Sequence, residues 1–242
     1  HRAEVRVLIN GGTEYTLYIC DECIRLCSQI VAQNFSGVSR PTTVATVEEL
    51  RQHFAQRIVG RDRITEVLVA VLRQHLMRAV SSEPLSIRVP KVLIIGPPGV
   101  GKTALGRALG EATTLPFVHA DATRITEAGY IGDDAETMLR QLLDDTNDDV
   151  ELARHGIVFL DSIHSILQKP PPTGAARDIS GESVQLQLLP ILDGRRVPVS
   201  MGRRNHPQME QTILDCRELL VVAAGTFDEL GAGISGGDPY RG

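Results

Sequence analysis

The sequence predicts an α/β fold, a central parallel sheet flanked by helices, preceded by a small separate module. Three observations carry that expectation. Short apolar runs, "VLIIG", "LPFVHADA", "IVFLD" and "LLVVAAG", alternate with longer segments in which Leu, Ile and Val recur at helical spacing. These runs are continuously apolar instead of alternating, which is how strands covered on both faces read. The absence of Trp and an aromatic share of 4% leave the core to aliphatic side chains.

Residues 1–35 read as a strand, a turn at Gly11 and Gly12, a second strand and a helix starting near Cys20. The Ser-, Pro- and Thr-rich "SGVSRPTT" follows, so residues 36–46 are expected to form a linker. From Val47 the spacing of Leu50, Phe54 and Ile58, then Ile64, Leu68, Val71, Leu72 and Leu76, is broken at Gly60 and predicts two helices joined at "IVG". "KVLIIG" is a strand, "PPGVGKT" a Gly/Pro loop, and a helix opens behind it. After the strand "LPFVHADA", helices are expected over 135–145 and 148–155, then the strand "IVFLD" and a polar Pro-rich loop. A helix over 183–192 and the strand "LLVVAAG" complete a large domain placed at 47–230, and 231–242 reads as a Gly-rich tail.

A formal net charge of -5 gives no blanket basic surface for nucleic acid, which argues against a motor acting on DNA. The longest apolar runs fall far short of the roughly 20 residues that span a bilayer, and no basic-then-apolar leader opens the chain. A cytoplasmic protein without a membrane partner is expected.

The chemistry concentrates at "GPPGVGKT", from Gly96 through Pro97, Pro98, Gly99, Val100, Gly101 and Lys102 to Thr103, with Ala104 following on the helix. Glycines let backbone N–H groups turn inward around phosphate oxygens, a Lys reaches the outer phosphates, and a Thr hydroxyl ligates Mg²⁺. ATP and Mg²⁺ are therefore the expected cofactors. Such a loop needs an acid at the tip of a neighbouring strand to hold the metal, and Asp161 at the end of "IVFLD" is placed for it. Asp161 also has a plainer reading as a cap for the next turn. Ser162 follows, where ATPases of this layout usually carry Glu, and a neutral hydroxyl accepts a proton poorly at about pH 7.

Beyond the phosphate loop, "YICDECIRLC", "IVGRDRITEVLVAVLRQHLMR", "ADATRITEAGYIGDD", "RDISGESVQ" and "RRNHPQ" resemble the ClpX family of AAA+ unfoldases, from the first residues to about Leu230. The resemblance implies an AAA+ P-loop large subdomain behind part of a zinc-binding module. It implies ATP hydrolysis that threads protein substrates through the pore of a homo-hexamer, and a ClpP-type peptidase as partner. Ile58, Val59 and Gly60 would contact the adenine, although simple helix packing explains them too. Tyr130 and Ile131 would lie on a first pore loop, Arg177 and Asp178 on a second, and Arg204 and His206 on a basic substrate-recruiting loop with Asn205 in place of Lys. A core Tyr beside a turn is the other reading of Tyr130. Lys102, Asp161 and Thr226 would form the catalytic set, Thr226 as a polar sensor after "LLVVAAG". Cys20 and Cys23 match the second half of a four-cysteine zinc site.

Three departures stand beside these likenesses. Ser162 replaces the family's catalytic Glu, and neither a small helical subdomain nor the "IGF" docking tripeptide occurs in the chain. Asp134, Asp178, Glu182 and His164 are the other candidates for a proton acceptor. The alternative function is a degenerate module that binds ATP without hydrolysing it.

Overall fold

A computed structural model describes residues 8–10, 18–20, 23, 26, 44–60, 62–81, 88–125, 135–167, 179–200 and 211–227. The chain divides into two compact units, His1–Gly37 and Val38–Gly242. In the first, β1 (Leu8–Asn10) pairs antiparallel with β2 (Tyr18–Cys20), Leu8 opposite Cys20. The two strands expected on either side of the turn therefore pair, while Gly11 and Gly12 lie outside the described residues.

The second unit opens with α1 (Val47–Arg57) and α2 (Asp62–Val80). Thr46 starts α1 with a reciprocal cap: its Oγ1 accepts from Glu49 N at 3.2 Å while Glu49 Oε2 accepts from Thr46 N at 2.6 Å. There follow β3 (Lys91–Ile95), α3 (Lys102–Glu111), β4 (Phe117–Asp121), α4 (Ala135–Asp145), α5 (Val150–Ala153) and β5 (Ile157–Asp161). Last come α6 (Ile179–Leu192), β6 (Arg196–Ser200), β7 (Gln211–Asp215) and β8 (Leu220–Gly225).

Four strands form a parallel sheet in the order β3-β8-β5-β4. Alternation along the central strands sorts the core into two layers. Val158, Leu160, Val221 and Ala223 face one apolar cluster with α4 and α6, while Ile157, Phe159, Leu220, Val222 and Ala224 face another with α1, α2 and α3. Helices therefore cover the sheet on both sides. On the second side α3 approaches so closely that a Cβ on Gly106 would collide with the Phe159 ring. Among the described residues no helix is long and apolar enough to cross a membrane.

Several expectations need correction. β3 is not covered on both faces: Leu93 is 51% and Ile95 47% exposed, because β3 is the outer strand of the described sheet. The α5 helix is shorter than 148–155, since Asn147 and Asp148 take left-handed backbone (φ 51° and 64°) and the Asp149 side chain caps Leu152 N. The α6 helix begins at Ile179, four residues before the expected 183. The β6–β7 hairpin, with Arg196 opposite Asp215, was not anticipated at all.

Candidate functional site

Three strand ends converge at one edge of the sheet. β3 runs into the glycine loop, β5 stops at Asp161, and β8 stops at Gly225 before Thr226. Gly96 N donates to Gly225 O at 3.2 Å, so the β3–β8 ladder continues into the loop. Gly99 (φ 77°) and Gly101 (φ 93°) hold left-handed backbone that a side chain would strain, and this turns the loop back onto the sheet. α3 starts behind Gly101 without a side-chain cap, which leaves its first amides to the loop's concave side.

Lys102 lies across this loop, with Nζ donating to Gly96 O at 2.7 Å, Pro97 O at 2.9 Å and Thr226 Oγ1 at 3.3 Å. Next to it, Thr103 Oγ1 donates to Asp161 Oδ2 at 2.6 Å. Asp161 is only 9% exposed, and its Oδ1 accepts from Ser162 N at 2.8 Å. The plainer cap reading of Asp161 does not hold, because the short 3-10 turn Ile163–Ile166 that follows has no side-chain cap.

The sequence predicts Asp161 on a strand next to the phosphate-loop strand, but β8 lies between β3 and β5. The contact forms regardless, since α3 begins over the sheet edge and carries Thr103 across to β5. The same insertion brings Thr226 to Lys102.

Sequence reasoning missed His119. Its Nε2 lies 3.5 Å from Asp161 Oδ2, its ring meets the Phe159 ring edge-on at 5.0 Å, and its backbone pairs with Phe159. Its signal in the sequence is a polar residue inside the apolar "PFVHAD", two positions before the strand end, and the β4–β5 register puts it on the face that Asp161 shares. A cavity of about 480 Å³ beside β4 is lined by His119, Asp121, Arg124, Thr137 and Gln141. His164, considered as a proton acceptor, instead has Nδ1 engaged by Thr226 N at 3.2 Å.

The other expected residues lie apart from this cluster. Ile58 is half-buried, whereas Val59 is 90% exposed beside Gly60 (φ 69°). The contacts that fix this bend run to the last turns of α3: His53 Nε2 lies 2.9 Å from Ala108 O, and Arg57 pairs with Glu111 at 2.5 Å. Tyr130, Ile131, Arg177, Asp178, Arg204 and His206, with Asp134, lie outside the described residues. Cys20 ends β2 and Cys23 is exposed, and among the described residues no three His, Cys, Asp or Glu side chains gather as a metal set.

Residues 92–230, more than half of the chain, match AAA, the ATPase family associated with various cellular activities. The chain belongs to the AAA family of ATPases. Residues 1–33 match the ClpX C4-type zinc finger. Among curated proteins, the ATP-dependent Clp protease ATP-binding subunit ClpX of Treponema denticola is 35% identical over 216 residues, covering 86% of this chain and 52% of that protein. The chain thus spans about half the length of this relative. A module that holds ATP without hydrolysing it receives no support from these matches.

ATP with Mg²⁺ is the cofactor of an AAA site, and the donor set fits it: Thr103 and the enclosed Asp161 offer oxygen ligands of the kind a hard dication takes. Zinc belongs to the C4 motif. Cys20 and Cys23 have the two-residue spacing of half such a set.

Proposed function

We propose that the protein hydrolyses ATP at the Lys102, Thr103, Asp161 and Thr226 cluster and uses it to unfold protein substrates as a subunit of the ClpX kind. The observation that carries the reading is the Thr103–Asp161 contact of 2.6 Å beside a Lys102 that also reaches Thr226. Strands distant in sequence bring these groups together, which a chance glycine turn would not do.

Lys102 now satisfies the loop carbonyls, and in the working site its ammonium turns to the outer phosphates of ATP. The loop amides and the uncapped start of α3 cradle the phosphate oxygens. Thr103 and Asp161 would hold Mg²⁺, which would supply positive charge beside the phosphate being transferred. The Thr226 hydroxyl orients the outer phosphate from the β8 side. Ser162 supplies no carboxylate, so turnover rests on this positioning. Ile58, Val59 and Gly60 receive the adenine, for which the exposure of Val59 is suited.

Residues 1–35 form a zinc-binding module using Cys20 and Cys23, 36–46 a linker, 47–230 the ATPase subdomain and 231–242 a tail. Tyr130, Ile131, Arg177, Asp178, Arg204 and His206 grip substrate polypeptide in the pore of a cytoplasmic hexamer that serves a ClpP-type peptidase.

Phosphate release from Mg-ATP tests the reading. Ser162→Glu is expected to raise the rate by about 10²-fold, the lower range of what a general base contributes. A parent protein that releases no phosphate above the level of Lys102→Ala would overturn it.

A further inference from the structure

Ser162 takes left-handed backbone (φ 56°, ψ 32°), and the chain swings out of β5 into the turn that carries His164. Ser165 N closes this turn on Ser162 O at 2.9 Å. The turn lies against the end of β8, where a Cβ on Gly225 would come within 3.0 Å of Ile163 Cγ2 and 3.2 Å of His164 N. Thr226 is the first residue past the paired part of β8, so its amide needs an acceptor from elsewhere. His164 Nδ1 provides it at 3.2 Å, and the His164 ring stands edge-on to Phe227 at 6.4 Å between centroids. On the other side of the same residue, Thr226 Oγ1 accepts from Lys102 Nζ at 3.3 Å.

We infer that His164 is a positioning residue of the nucleotide site: its Nδ1 lone pair fixes Thr226, and Thr226 in turn presents its hydroxyl beside Lys102. The inference rests on the ATPase reading above. An amide donor requires a lone pair on the atom it meets, so Nδ1 is the accepting nitrogen of the ring in this contact. Two breaks in the apolar pattern of the strand ends, the left-handed Ser162 and the side-chain-free Gly225, let the turn come close enough for this bond. His164 thereby links the turn that follows Asp161 to Thr226, the residue that faces the loop lysine. An Asn at this position places its amide oxygen near where Nδ1 stands, whereas Ala offers no acceptor.

The test compares the whole protein with His164→Ala and His164→Asn in three measurements: amide hydrogen exchange at Thr226, affinity for a non-hydrolysable ATP analogue with Mg²⁺, and phosphate release. In His164→Ala, exchange at Thr226 and the loss in kcat are each expected to be about five- to tenfold, the worth of one hydrogen bond, with analogue affinity nearly unchanged. His164→Asn is expected to recover most of both. Unchanged exchange in His164→Ala, an unchanged kcat, or equal losses in Ala and Asn would each overturn the inference. A parent protein that hydrolyses nothing would sink the ATPase reading instead, and exchange at Thr226 would still decide the His164 contact.

Discussion

Lys91 and Lys102 stand at opposite ends of β3, and both donate to backbone carbonyls, but their surroundings differ in kind. At the start of the strand, Lys91 Nζ donates to Leu219 O at 2.7 Å, and burial pushes its pKa down. Around it the groups are enclosed. His75 Nε2 donates to His155 O at 2.7 Å, Arg78 Nη1 lies 3.3 Å from Glu218 Oε2, and burial pushes the Cys216 thiol up to about 12. Past the end of the strand, Lys102 donates to carbonyls of a glycine loop, beside uncapped helix amides and a hydroxyl–carboxylate pair. Carbonyl contacts alone do not separate the two lysines. What separates them is a set of neighbours whose hydrogen bonds a phosphate and a dication can take over.

The contrast breaks most sharply at Lys102. Lys102→Ala is expected to lower phosphate release by at least about 10²-fold while shifting unfolding free energy by no more than about 0.5 kcal/mol. Equal losses of stability and activity would show that both ends are structural.

At the opposite end the largest expected effect is pH-dependent. Burial holds the His75 pKa down at about 4 against an ordinary 6.5. The unfolded chain takes a proton below 6.5 while the folded chain resists it, so stability is fully present above that pH and falls as pH drops towards 4. Urea unfolding is expected to show a loss of about 2 kcal/mol between pH 7 and pH 5, and His75→Leu is expected to flatten that slope. An unchanged slope in the variant would move the titration elsewhere.

The smallest effect sharpens the division. Lys91→Met is expected to cost about 1–2 kcal/mol of stability, read by urea unfolding, with phosphate release from the folded protein unchanged. Release that falls in the fully folded variant would mean that the two ends of β3 are not independent.

Much of the site could be read from sequence because its signals are local. The loop from Gly96 to Thr103 names its own backbone geometry, and Asp161 closes an unmistakable buried run. What could not be read is where strands settle sideways. Nothing in "LLVVAAG" says that β8 lies between β3 and β5, yet that insertion brings Thr226 to Lys102. His119 was missed for the same reason, since only the β4–β5 register puts it beside Asp161. The hairpin failed on pattern: "RVPVS" has a Pro where alternation would be judged, and "QTILD" is too short to carry a period. Ile179 precedes its helix signal because Ser180 and Gly181 are weak helix formers.

The strand order also bears on how the domain assembles. β8, the last described strand, occupies the middle of the sheet, so Lys91 meets Val221 from the far side of the domain's sequence. A chain emerging from the ribosome has β3, β4 and β5 before it has the strand that joins β3 to the others. Until β8 arrives, β3 has no partner within the described sheet, and its apolar edge stays open to pairing with other chains. Parallel pairings between such distant segments form slowly and leave partly built sheets prone to aggregate. Any truncation before Leu220 is therefore expected to yield insoluble protein rather than a smaller domain.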